Sequence, residues 1–216
     1  MTSEGFPVVE PPFGESDSSV TGEQSTIVGV VLAAGTGSRF GEENKLLAQW
    51  ADATLVSHAV ETLVQSAVDH VVVVVGDDAK RVRTAISDFE VTVVHNDEYA
   101  AGQATSVRRG ITAARNYRAD VVVFALGDMP TVKAESLDML VDAYRAGVSD
   151  ALAAACDGAR GNPVLFGHRH FETLADVTGD TGGREILLAD DRAALVETGD
   201  RGVLVDVDRP DDIETL

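Results

Sequence analysis

The sequence predicts an α/β protein with a mostly parallel, doubly wound sheet between two helical layers. Three observations carry this. First, Ile27–Leu32, His70–Val75 and Asp120–Leu126 are short runs rich in β-branched or aliphatic residues, the pattern of strands covered on both faces. Second, amphipathic stretches at helical spacing separate these runs. Third, strand and helix alternate along most of the 216 residues, and that order builds parallel sheets with right-handed crossovers.

The first 25 residues are rich in Gly, Ser, Pro and Glu and lack a basic leader. They read as a disordered tail and not as a signal peptide. Ile27–Leu32 is the first strand. Leu55–Ala67 is a helix, because Leu55, Ala59, Leu63 and Ala67 recur every four residues beside Val56 and Val60. His70–Val75 is the second strand. Ala79–Ile86 is a short helix and Val91–Val94 a third strand. Thr105–Tyr117 is a helix and Asp120–Leu126 the fourth strand. Glu135–Ala146 is a helix that stops at Gly147, a natural cap. Ala151–Cys156 and Asn162–Phe166 read as strands, antiparallel to a neighbour. A short helix around His168–Leu174, a Gly-rich loop at Thr178–Gly183 and a helix over Arg184–Ala189 follow. The strand Val203–Val207 and a short helix after Pro210 close the chain.

Composition removes several classes of function. Hydrophobic residues make up 44% of the chain, and no stretch reaches the roughly 20 apolar residues of a membrane span. The net charge is −19, and Lys45, Lys80 and Lys133 are the only lysines. A surface this acidic does not bind a nucleic-acid backbone. It suits a protein adapted to high salt. The single cysteine, Cys156, forbids an internal disulfide and fits a cytoplasmic setting. Within the apolar run Ala151–Cys156 it reads as a small buried hydrophobe.

In doubly wound sheets ligands sit at the carboxyl ends of strands. After the first strand comes Ala33-Ala34-Gly35-Thr36-Gly37-Ser38-Arg39-Phe40-Gly41, with Lys45 further on. It is neither a dinucleotide fingerprint, since Phe40 replaces the third glycine, nor a Walker A loop. Small residues let consecutive N–H groups cradle an anion, and Arg39 and Lys45 add two cations, so the loop is fit to hold a triphosphate. After the fourth strand comes Gly127-Asp128-Met129-Pro130, which places Asp128 to hold Mg²⁺. After the last strand, alternation puts Asp206 and Asp208 on one side, and either can supply a second carboxylate. Asp211 and Asp212 read as cap or surface residues. His58, His70, His95, His168 and His170 show no metal spacing. Asn96 follows the third strand and is a candidate nucleotide contact.

Five segments, in order from Ile27 to the C-terminus, resemble the MobA-like nucleotidyltransferases, most nearly the molybdenum cofactor cytidylyltransferases. The loop Leu32-Ala33-Ala34-Gly35 to Lys45 is similar to L-A-A-G-x-G-x-R-x-G…K. Gly102 to Gly110 resembles G-x-x-x-S-[LV]-x-x-G. Gly127-Asp128-Met129-Pro130 resembles the metal motif. Gly179-Asp180-Thr181-Gly182-Gly183-Arg184 resembles G-D-x-G-x-R, and Asp206 to Asp212 resembles D-I-D-T-P-E-D. Two features depart. Asn162 stands where many relatives have His, and it cannot titrate near neutral pH. Glu42 and Glu43 lengthen the path to Lys45.

The resemblance implies a nucleotide-diphospho-sugar transferase-like, Rossmann-like fold, with residues 26–216 as one domain. It implies Mg²⁺-dependent transfer of CMP from CTP to the phosphate of molybdopterin, with a molybdoenzyme as client and no role for nucleic acid or membrane. Arg39, Lys45 and Asp128 would be catalytic, and Asp128, Asp206 and Asp208 the metal ligands. Leu32, Ala33, Ala34, Gly35, Thr36, Gly37, Asn96, Gly102 and Ser106 would hold the nucleotide. Asn162, Asp180, Gly182 and Arg184 would hold the acceptor. Guanylyltransferase relatives read L-A-G-G in the first loop, so L-A-A-G favours CTP over GTP. The rival expectations are a sugar- or polyol-phosphate acceptor and a non-catalytic maturation factor. A dinucleotide-dependent oxidoreductase fails on the missing glycine.

Overall fold

The computed structural model describes residues 5–14, 25–35, 37, 40, 43–179 and 182–216. Its main sheet has eight strands in the order β1-β10-β8-β9-β7-β2-β5-β6. They are β1 (Val8–Val9), β2 (Ile27–Ala33), β5 (His70–Val75), β6 (Thr92–His95), β7 (Val121–Leu126), β8 (Ala151–Cys156), β9 (Ala159–Gly167) and β10 (Ala194–Glu197). A two-stranded hairpin, β3 (Gln49–Trp50) with β4 (Ala53–Thr54), lies apart. Only β9 runs against its neighbours β7 and β8; every other pairing in the main sheet is parallel.

The valine-rich runs become central strands because successive side chains enter opposite cores. Ile27, Val31, Val71, Val73, Val121 and Val123 join one buried cluster. Val28, Val30, Val72, Val74, Val122 and Phe124 join the other. The first cluster is covered by α1 (Leu55–Gln65), α2 (Ala79–Ala85) and α4 (Ala134–Arg145). The second is covered by α3 (Gln103–Asn116), α5 (Phe171–Ala175) and α6 (Arg184–Ala189). Thr54 caps α1, its side chain accepting from the Ser57 N–H. Gly110 lets α3 lie close on β2: a Cβ there would stand 2.7 Å from Val30 Cγ1. The chain order steps outward from β2 to β5 and β6, then returns to β7 on the other side of β2. The strand order therefore reverses between β2 and β7, where such folds bind ligands.

Two expectations are corrected. The tail contains a docked segment: Val8 and Val9 pair in parallel with Leu195 and Val196, and Phe6 is buried in the second core. Its few apolar residues cover the edge that β10 would otherwise expose. Val203–Val207 is not a strand. Arg201–Leu204 is a 3₁₀ turn, and β10 takes the place beside β8. Asp200 enforces the turn, its side chain accepting from the Gly202 N–H at 2.9 Å. A final short helix, α7 (Pro210–Ile213), closes the chain. Among the described residues no helix is long and apolar enough to cross a membrane.

Candidate active site

A cleft of about 420 Å³ opens at the carboxyl ends of β2 and β7. Leu32, Ala34, Gly35 and Gly37 line it from the loop after β2, and Leu126 and Asp128 from the end of β7. Gly102, Gln103 and Ser106 line it from the start of α3, with Tyr99 and Ala100 before them. Gly102 has φ +107°, a conformation open to glycine and strained for other residues. It turns the chain into α3, where the Ala104 N–H donates to the Gly179 carbonyl at 3.1 Å and the Thr105 N–H to the Gly102 carbonyl at 3.1 Å. Gly76 brings Tyr99 down onto the loop: a Cβ at Gly76 would stand 2.6 Å from Tyr99 Cβ and 2.8 Å from the Ala34 carbonyl oxygen.

Lys45 reaches this cleft. Asn44 is buried, and its Oδ1 accepts from the Leu46 N–H at 3.0 Å. Asn44 Nδ2 donates to the Asp77 carbonyl at 3.3 Å, and Leu46 is buried below. This anchoring fixes the Lys45 backbone whatever the length of the loop before it. Lys45 Nζ then lies 2.5 Å from Asp128 Oδ2 and 3.2 Å from Asp208 Oδ1. Burial works against the Lys45 charge, yet the Asp128 carboxylate and its hydrogen bond, with Asp208 behind them, raise its pKa above the ordinary 10.5. Burial also raises the Asp128 carboxyl above its usual range; Lys45 pulls it back, and Asp206 pushes it up further.

Asp128, Asp206 and Asp208 each offer one oxygen to a group lying within 4.8 Å of one another. Asp206 and Asp208 follow a turn and not a strand, so strand alternation is not what brings them to Asp128. The turn is pressed onto the chain after β7: a Cβ at Gly202 would meet the Thr131 carbonyl oxygen at 2.2 Å. Val207 N–H then donates to the Asp128 carbonyl at 3.0 Å. Asp128 Oδ1 is buried and has no hydrogen-bond partner. Three converging carboxylates with one unsatisfied buried oxygen fit a hard divalent cation. Among the described residues this cluster contains no histidine.

A second cleft of about 280 Å³ adjoins the first, and both are lined by Leu32, Gln103 and Leu126. Asn162, Gly182 and Arg184 line it together with Arg160, Val164 and Gly183. Three of the four residues expected to hold an acceptor are therefore side by side. Thr36, Arg39 and Asp180 lie outside the described residues.

Two expected nucleotide contacts are not in the lining. Ala33 is 1% exposed and packs into the first core. Asn96 is fully buried; its Nδ2 donates to Thr105 Oγ1 and Ser106 Oγ at 2.8 and 3.0 Å, while its Oδ1 accepts from the Glu98 N–H. It braces Ser106 from behind. Tyr99 and Gln103 line the cleft without having been expected there. The signal for both was position, just after the third strand and just inside the helix.

The family model described as the MobA-like NTP transferase domain matches residues 29–194. The nicotine blue oxidoreductase of Paenarthrobacter nicotinovorans is 30% identical, over 74% of this chain and 81% of its own length. The molybdenum cofactor cytidylyltransferase of Escherichia coli K12 is 25% identical, over 88% of this chain and 95% of its own. The structure of Rv0371c from Mycobacterium tuberculosis in complex with manganese superposes with a TM-score of 0.73. It is 28% identical and covers 89% of this chain and 98% of that one.

Proposed function

The chain belongs to the MobA-like NTP transferase family and is a nucleotidyltransferase, and from that premise we propose that it transfers CMP from CTP to the phosphate of molybdopterin and releases pyrophosphate. The observation that carries the reading is the carboxylate cluster, two of whose members, Asp128 and Asp208, line the first of two adjoining clefts. One cleft begins at a glycine-rich loop and suits the nucleotide. The other carries Asn162 and Arg184 and suits a phosphorylated acceptor. The relative named as a molybdenum cofactor cytidylyltransferase supports the choice of acceptor. The family also holds a relative named as an oxidoreductase, and the carboxylate cluster is what favours nucleotidyl transfer here.

In the reaction an acceptor phosphate oxygen attacks the α-phosphorus, the new O–P bond forms, and the bond to the β-phosphate oxygen breaks. A phosphate monoester is already ionised at neutral pH, so no strong base is required, and Asn162 need not titrate. Positioning and charge neutralisation lower the barrier. The backbone of Ala34, Gly35 and Gly37 cradles the phosphates. Lys45 and Arg39 stabilise the charge that builds on pyrophosphate. Asp128, Asp206 and Asp208 would hold Mg²⁺, which would supply charge neutralisation for the reacting phosphates. Gly102 and Ser106 line the same cleft and would read the base edge. The setting we assign is the cytoplasm.

The test is incubation with CTP or GTP, Mg²⁺ and molybdopterin, with the dinucleotide read by mass. A cytidylated product is expected. Product from GTP alone would replace CTP in the reading. No dinucleotide, with pyrophosphate released only when a sugar or polyol phosphate is supplied, would overturn the acceptor. Nucleotide binding without turnover under every condition would point to a maturation factor.

A further inference from the structure

Lys45 is held by the same carboxylates that a metal ion needs. Its ammonium sits 2.5 Å from Asp128 and 3.2 Å from Asp208, two members of the three-carboxylate cluster. Its side chain is 13% exposed, so water screens the contact little. Asp128, Asp206 and Asp208 would repel one another at this range without a cation among them. A divalent ion bound to any of their oxygens comes within a carboxylate's width of the ammonium, and the like charges repel strongly there.

The lysine can nevertheless move. The backbone around it is pinned through the Asn44 side chain and buried Leu46, while the side chain is held at its end by the two carboxylates. The four-carbon stem has free torsions. It lies along the glycine-rich loop: a Cβ at Gly37 would stand 3.2 Å from Lys45 Cγ. Ala34 and Gly35 line the same cleft as Lys45, Asp128 and Asp208. The ammonium can therefore pass from the carboxylates to a phosphate without any change in the backbone.

We propose that Lys45 is the resident counter-ion of the carboxylate cluster and makes metal binding conditional on the nucleotide. In the free enzyme it holds Asp128 and Asp208 together and keeps divalent ions out. When the metal–nucleotide complex enters, its phosphates draw the ammonium off the carboxylates and the ion takes its place. Metal therefore enters with the nucleotide and not before it. This inference rests on the reading of the first cleft as the site of a metal-bound nucleoside triphosphate.

The experiment measures Mn²⁺ binding to nucleotide-free protein by the paramagnetic resonance of free Mn²⁺. Wild type is compared with Lys45→Met, Lys45→Gln, Lys45→Arg and Asp128→Asn. Removing a competing unit charge from a partly buried site should tighten Mn²⁺ binding about tenfold or more. Lys45→Met or Lys45→Gln should show that gain, so one folded variant of the two suffices. Lys45→Arg, which keeps the charge, should bind as weakly as wild type. A CTP analogue with a methylene between the α- and β-phosphorus should bring wild type to within a few-fold of Lys45→Met. Unchanged or weaker binding in both neutral variants overturns the proposal. Asp128→Asn separates the two levels. If it loses Mn²⁺ binding in the presence of the CTP analogue while the nucleotide-free lysine variants bind like wild type, the metal site stands and the counter-ion role falls. If, with the CTP analogue present, it binds Mn²⁺ as tightly as wild type does with the analogue, the metal-site reading itself falls.

Discussion

Replacing Asp200 with Ala tests the part of the structure that builds the site from outside it. Asp200 is 5% exposed. Its Oδ2 accepts from the Lys133 N–H at 2.9 Å and from Ser136 Oγ at 2.8 Å, and its Oδ1 accepts from the Gly202 N–H at 2.9 Å. One carboxylate thus ties the start of α4 to the 3₁₀ turn that leads to Asp206 and Asp208. A hydrogen bond to a charged group is worth about 1.5–3 kcal/mol, and a donor left buried without a partner costs about as much. The three bonds share one carboxylate and water will enter part of the gap, so they do not add fully. We expect Asp200→Ala to lose about 3–5 kcal/mol of unfolding free energy, the loss of three such bonds less the part that shared geometry and entering water restore. Asp200→Asn keeps one acceptor oxygen and should lose less. Urea unfolding measures this, with the slope against denaturant unchanged. Because Val207 and Asp128 are joined by a backbone hydrogen bond, the Ala variant should also bind Mn²⁺ and nucleotide more weakly while still folded. A loss below about 1 kcal/mol would refute the reasoning, since it would mean that the buried donors find other partners.

Asp128→Ala should abolish most pyrophosphate release while the circular dichroism spectrum stays that of wild type; near-normal release would remove Asp128 from the metal site. His170 is held below its ordinary pKa of 6.5 by burial first and by the neighbouring Arg169 charge. Its folded pKa is therefore lower than its unfolded one, and the unfolded chain takes up the extra proton as pH falls through the unfolded value. Stability should fall between pH 7 and pH 5, less steeply in His170→Gln, and equal slopes would count against this. The net charge of −19 implies self-repulsion that salt screens. The unfolding midpoint should rise from low to molar KCl, and an unchanged midpoint would count against adaptation to salt.

Local chemistry made the centre of the sheet legible. Five consecutive valines in β5 cannot be hidden except in a strand buried on both faces. The glycine-rich loop and Asp128 could be placed because they follow directly on such strands. β10, in contrast, is only Ala194–Glu197, weaker in β-branched residues than Val203–Val207. Which of the two enters the sheet is a competition for one slot beside β8, and no local pattern reports it. The outcome turns on Asp200 capping the turn and Gly202 lying against Thr131. Asn96 looked like a ligand contact because it is polar and ends a strand. It is buried because its amide satisfies Thr105 and Ser106 on a helix that packs beside it.

The amino-acid sequence by itself determined the alternation of strands and helices, the acidic composition, and the order in which loop, carboxylates and lysine follow one another. These are properties of neighbours along the chain, set by side-chain periodicity and composition. Only the tertiary structure decided that Lys45 lies between Asp128 and Asp208, and that all three carboxylates converge. Residues 45 and 208 are brought together by contacts each makes elsewhere: Asn44 to the chain after β5, Gly202 to the chain after β7. A distance between two such residues is the sum of many packing choices, and periodicity does not encode it.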